Sequence, residues 1–158
     1  MSAKKEQTDP TLPAKRSFNF LVVDDDDVCQ FIHRRILEVS DYCNSSRSAR
    51  NGKFALEILN DAAVGFIPVP DIILLDLQMP LMNGIAFLEA FQRLDYANKS
   101  RIAIVLLSSS VSEPDIEYAM SLGVSKYMTK PLTLAALNAV VDSLYGHESP
   151  TPVMVPST

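Results

Sequence analysis

Residues 71–84 read DIILLDLQMPLMNG. Four apolar residues in a row, Ile72–Leu75, run straight into a single acid, Asp76. A continuous apolar run of this length, without alternation, describes a strand buried on both faces. Such strands lie at the centre of parallel sheets that helices cover on both sides. The runs FNFLVV at Phe18–Val23 and IAIVLL at Ile102–Leu107 have the same character.

Between these runs the period changes to a helical one. Val28, Phe31, Ile32, Ile36 and Val39 form an apolar stripe, with charged and polar residues opposite. His33 falls one step off that stripe and is expected at the surface. Tyr42–Ala49 is a polar strand suited to a sheet edge, and Asn51-Gly52 punctuates it. Phe54, Ala55, Ile58 and Leu59 predict a second helix. Residues 65–70, GFIPVP, cannot continue it and read as a loop. Ile85, Leu88, Phe91 and Leu94 predict a third helix. Pro114 suits the first turn of a fourth, carrying Ile116, Ala119 and Met120 and stopping at Gly123. Ser125–Met128 is a short last strand. Leu134, Leu137, Val140, Val141 and Leu144 mark a last helix ended by Gly146. Five strands alternating with five helices predict an α/β domain with a five-stranded parallel sheet and helices on both faces.

The chain has 158 residues, 47% of them hydrophobic, which suits one domain and excludes disorder for its bulk. Five of the ten prolines sit in the end pieces, at 10, 13, 150, 152 and 156. Residues 1–16 and 146–158 are therefore expected to be flexible tails around a domain at 17–145. Fourteen basic against nineteen acidic residues give a net charge of −5, so nucleic acid is a disfavoured partner. No apolar run approaches the ~20 residues of a membrane helix. The first residues hold no apolar signal region, so a cytoplasmic location is expected. Cys29 and Cys43 make no disulfide framework and read as small hydrophobes.

Four of the five strands end on a reactive group. Asp24 and Asp25 follow the first, Asp76 the third, Ser108 the fourth and Lys130-Pro131 the fifth. If the strand order is 2-1-3-4-5, all of these meet in one crevice at the carboxyl ends of the strands, where open parallel sheets bind ligands. Three carboxylates placed together repel one another. A hard cation removes the conflict, and Mg²⁺ takes oxygen ligands beside phosphate oxygens. A lysine supplies a mobile positive charge to a phosphoryl oxygen, and a hydroxyl donates to another. Carboxylates also serve as covalent acceptors in such chemistry.

These residues carry a family resemblance. LVVDDDD at 21–27, DIILLDLQMPLMNG at 71–84 and SLGVSKYMTKPL at 121–132 resemble the receiver domain of two-component response regulators. The likeness covers roughly 17–145. It implies a flavodoxin-like doubly wound fold with strand order 2-1-3-4-5. It implies Asp76 as phosphoacceptor and Asp25 as a direct Mg²⁺ ligand, with Asp24 helping through water. Asp76 and the backbone carbonyl of Gln78 would complete the metal site. Lys130 would neutralise a phosphoryl oxygen. Ser108 would bind another and draw its loop inward, and Tyr127 would change rotamer with it. The donor would be a phosphohistidine on a sensor histidine kinase or histidine phosphotransfer protein. A downstream protein would read the face made by the fourth helix, fifth strand and fifth helix. About 13 residues follow the last helix, so the expectation is a single-domain regulator of chemotaxis or phosphorelay type, without membrane or nucleic-acid contacts.

The departures are small. Position 108 holds Ser where the family often has Thr, and position 109 holds Ser where Ala is frequent. Two other readings compete. Asp24-x-Asp26 after an apolar strand also fits a haloacid-dehalogenase-like phosphatase, with Asp24 as nucleophile, Asp26 as acid/base and Ser108 as a further hydroxyl. That reading lacks a later acidic pair for Mg²⁺ and leaves DLQMPLMNG unexplained. A pseudo-receiver that only binds partners is the other, and the intact acids, hydroxyl and lysine weigh against it. Asp26 and Asp27 also fit a plain helix start, where acids complement the dipole.

Overall fold

The computed structural model describes residues 16–79, 81–96, 99–109 and 113–146. The predicted tails, apart from Arg16 and Gly146, lie outside the described residues. The strands are β1 (Phe18–Val23), β2 (Cys43–Ala49), β3 (Ile72–Leu75), β4 (Ala103–Ser108) and β5 (Lys126–Thr129). The helices are α1 (Asp27–Val39), α2 (Gly52–Ala63), α3 (Gly84–Arg93), α4 (Glu113–Ser121) and α5 (Leu134–Tyr145). All neighbouring strands pair in parallel, in the order β2-β1-β3-β4-β5.

Strand residues alternate between two cores, as a pleated strand requires. Leu21, Val23, Ile73, Leu75, Ile104 and Leu106 pack with Ala55 and Leu59 of α2 and with Phe87, Leu88 and Phe91 of α3. Phe20, Val22, Ile72, Leu74, Val105 and Leu107 pack with Leu37 of α1 and with Leu137 and Val141 of α5. Neither face is open to water, which is why these strands read as unbroken apolar runs. β2 lies at the edge, and its exposed middle explains its polarity.

Capping sets where the helices begin. Asp26 accepts from Val28 N and Cys29 N, Asn51 from Phe54 N, Asn83 from Ala86 N and Thr133 from Ala136 N. Each such cap contributes about 1 kcal/mol. Three caps follow directly or closely on a strand end, so the same short segments that start helices also line the crevice.

The structure corrects the expected orientation of α1. Val28, Phe31 and Val39 are 67%, 63% and 64% exposed, and Ile32 is also exposed. The face toward the sheet carries Gln30, His33 and Leu37 instead. His33, expected at the surface, is 2% exposed. Residues 30, 33 and 37 have helical spacing too. Sequence periodicity finds the most apolar stripe, but the direction of the helix is set by its cap and by what Gln30 binds. Phe54, Met120 and Leu134 likewise stand exposed, while Phe87, outside the predicted stripe, is fully buried. No helix among the described residues is long and apolar enough to cross a membrane.

Candidate functional site

The chain leaves β1 at Asp24 and β3 at Asp76. β1 and β3 are hydrogen-bonded neighbours in register, with Val23 opposite Leu75. The two acids therefore emerge side by side, and Asp76 N donates to Val23 O at 2.9 Å. Asp25 joins them: oxygens of Asp24, Asp25 and Asp76 all lie within 4.8 Å of one another. Asp24 and Asp76 are buried, whereas Asp25 is half-buried at the rim.

Lys130 reaches this cluster from the end of β5. Its Nζ lies 2.6 Å from Asp24 Oδ2 and 3.1 Å from Asp76 Oδ2. Lys130 N also donates to Ser108 O at 3.0 Å, which ties the exit of β5 to that of β4. The peptide bond from Lys130 to Pro131 is cis. One ammonium thus bridges two of three carboxylates. Burial alone would disfavour the ammonium, but the hydrogen bond and charge of Asp24, then those of Asp76, outweigh it and raise the Lys130 pKa. For Asp76 burial dominates and pushes the carboxyl pKa upward, against the opposing pull of Gln78 N and Lys130. With three carboxylates and one cation among the described residues, the cluster remains short of positive charge.

The loop after β3 is held close to the acceptor. Gln78 N donates to Asp76 Oδ1 at 3.1 Å, and Gly84 N donates to Leu77 O at 3.0 Å. A methyl group at Gly84 would lie 2.6 Å from the Asp76 carbonyl oxygen, so only glycine lets α3 begin here. Leu81, in the same loop, has φ +65° and is 88% exposed. Beside the acids opens a cleft of about 470 Å³, lined by Asp25, Leu77, Gln78, Met79, Asn83, Ile85 and Asp115.

Of the residues expected at the site, Asp24, Asp25, Asp76 and Lys130 come together. Gln78 shares the cleft with Asp25. Ser108 is buried at the last position of β4, at the same carboxyl end of the sheet. Tyr127 stands exposed on β5 beside Leu106, outside the acid cluster. All-oxygen donors at this spacing fit a hard divalent cation such as Mg²⁺. Asp26, the acid/base of the phosphatase reading, is exposed and caps α1, and the three-acid group found among the described residues does not include it. Cys29 lies near Lys130, but burial raises its thiol pKa against the pull of that ammonium; burial raises Cys43 likewise.

Gln30 escaped the sequence reading. It is buried against the backbone of Asp24, and nothing in the apolar periodicity of α1 distinguishes it from an outward polar residue.

Comparison with known proteins converges on this arrangement. The family model for the response regulator receiver domain matches residues 20–142. The chain is 32% identical over 143 residues to "Two-component response regulator 24" of Arabidopsis thaliana, covering 89% of this chain and 94% of that protein. It is 35% identical over 113 residues to a protein-glutamate methylesterase/protein-glutamine glutaminase of Treponema pallidum, covering 70% of this chain. Of that relative's length the chain spans only 26%. A solved two-component response regulator from Cytophaga hutchinsonii has the same fold, with TM-score 0.74, 29% identity, and coverage of 82% of this chain and 98% of that one. Sheet order, strand-end acids, lysine and family match agree: the chain belongs to the response regulator receiver family.

Proposed function

We propose that this receiver accepts a phosphoryl group on Asp76 from a phosphohistidine of a sensor histidine kinase or histidine phosphotransfer protein, with Mg²⁺ held by Asp24, Asp25, Asp76 and the Gln78 carbonyl. The observation that carries this reading is the Lys130 ammonium shared by Asp24 and Asp76 at the open end of the sheet. A carboxylate oxygen of Asp76 attacks phosphorus in line. The new O–P bond forms as the P–N bond breaks, and the imidazole leaves with the electron pair and takes up a proton. The bound cation supplies charge neutralisation for the phosphoryl oxygens. Lys130 exchanges its bond to Asp76 for one to a phosphoryl oxygen, while Asp24 keeps it in place. The Ser108 hydroxyl takes a second phosphoryl oxygen. Its loop then moves inward and Tyr127 follows, changing the face of α4, β5 and α5 that a downstream protein reads.

The donor has to present its phosphohistidine at the mouth of the crevice. The exposed stripe Val28, Phe31, Ile32 and Val39 starts at that mouth, two residues past the α1 cap, and runs down the outer face of α1. An apolar surface of this length on the outside of a small domain supports a protein contact. We assign it to the donor, and the α4–β5–α5 face to the downstream partner.

Incubation with Mg²⁺ and a small acyl phosphate, followed by intact mass, tests the chemistry without any partner. Gain of one phosphoryl group, lost on chelation of Mg²⁺, is expected. Absence of the gain at any donor concentration would count against the acceptor reading.

A further inference from the structure

Asp24 is the last residue before the chain turns out of the sheet, and it is 1% exposed. Its N–H still bonds to Ala49 O at 3.1 Å, but its carbonyl has passed the end of the β3 ladder. A buried carbonyl without a donor costs about 1–3 kcal/mol. Gln30, 7% exposed and one turn into α1, supplies the donor. Its Nε2 lies 2.8 Å from Asp24 O, 3.1 Å from Ala49 O and 3.4 Å from Val22 O. The amide orientation is unambiguous, since a flipped amide would set its oxygen against three carbonyl oxygens. The Oε1 atom itself has no partner among the described residues.

We propose that Gln30 is a positioning residue for the metal-holding pair. The carbonyl it grips belongs to the peptide unit that joins Asp24 to Asp25. That unit is planar, so fixing its oxygen fixes the ψ of Asp24 and the φ of Asp25 together. One side-chain amide thereby sets the directions from which both carboxylates approach the cation. By also holding Ala49 O, it references them to the end of β2 rather than to the loop alone. Without the amide, the Asp24 carbonyl turns to find water, and both acids swing with it. A polar contact one step behind the ligands typically changes metal affinity by roughly 10–100-fold when removed.

This assignment rests on the acceptor reading above, and its test separates the two. Mg²⁺ affinity by calorimetry and the phosphorylation rate from a small acyl phosphate are measured on wild type, Gln30→Met and Ile104→Val. Methionine keeps the length and volume but has no donor. Ile104→Val lowers stability from the other core and controls for destabilisation alone. The expected result is Mg²⁺ affinity weaker by roughly tenfold in Gln30→Met. A higher donor-independent Mg²⁺ requirement should accompany it, with Ile104→Val like wild type. Wild-type Mg²⁺ affinity in Gln30→Met overturns the assignment, as does an equal loss in Ile104→Val. A wild-type protein that binds no Mg²⁺ removes the acceptor reading and this assignment with it. A measurement needing no variant stands alongside. In wild type the Gln30 side-chain NH₂ resonances should exchange slowly with solvent and shift on Mg²⁺ addition. Exchange as fast as a free glutamine amide would contradict the proposal.

Discussion

Lys130 spreads one positive charge over Asp24 and Asp76, and the remaining negative charge is what a divalent cation has to meet. Replacing Lys130 with Met leaves two buried carboxylates without their shared donor. Small-molecule phosphorylation of Asp76 should then fall at least tenfold; an unchanged rate, read by intact mass over time, would remove Lys130 from the chemistry. Leu81 shows a different kind of residue-scale tension. An L-residue at φ +65° costs about 1 kcal/mol, and the Leu81 side chain is largely exposed. Leu81→Asn should raise stability by about that amount in denaturant titration, since Asn tolerates this conformation. His33 gives a pH dependence. Burial lowers its pKa below the ordinary 6.5, with Asp24 and Asp26 pulling it up and Lys130 pushing it down. The unfolded chain therefore binds the proton more readily than the native one. The stability tied to the neutral imidazole is complete above pH 6.5 and lost as pH falls toward the folded value. Calorimetry across that window should show a steeper acid-side fall in wild type than in His33→Leu; parallel curves would mean that His33 does not titrate there. The acids, Ser108 and Lys130 were legible in the sequence because each ends a strand that announces itself as an apolar run. His33 and Gln30 were not, because their roles depend on which way a helix faces.

That helix is the clearest case at the scale of elements. α1 has an apolar stripe as regular as that of any core helix, and apart from the half-buried Ile36 it points to solvent. The boundaries of α1 and of all five strands were readable within a residue or so, since caps and apolar runs are local signals. Orientation is not local: it depends on the Asp26 cap, the Gln30 bonds and the placement of Leu37 against α5. An exposed stripe predicts a dissociation between folding and recognition. Phe31→Ser should change stability by no more than ~0.5 kcal/mol, as surface substitutions do. Phosphorylation by a small acyl phosphate should also persist, while transfer from a histidine kinase or phosphotransfer protein should slow at least tenfold. A large loss of melting temperature in Phe31→Ser would instead place this face in the core. β2 carries the converse lesson: its polar sequence was weak as a strand but informative as an edge, and the edge is where it lies.

For the whole molecule, parallel topology explains why residues more than a hundred positions apart share one crevice. Asp24 and Lys130 meet because β1 and β5 present the same end of one sheet. The strand order followed from the pattern of runs together with the family likeness; the pattern alone left it conditional. Three clustered acids should make the metal-free fold less stable than the Mg²⁺ form. Mg²⁺ bound only to the native state would raise the melting temperature by mass action. Asp25→Asn should raise metal-free stability and remove the Mg²⁺ response, with calorimetry as the probe because the chain has no Trp. A full Mg²⁺ response in Asp25→Asn would take Asp25 out of the metal site. Which carboxylate forms the bond to phosphorus decides between the acceptor and phosphatase readings. Phosphorylation by a small acyl phosphate with Mg²⁺, followed by intact mass on wild type, Asp76→Asn and Asp24→Asn, answers it directly. With Asp76 as acceptor, wild type gains one phosphoryl group and Asp76→Asn none; a label that survives in Asp76→Asn and vanishes in Asp24→Asn would contradict that assignment.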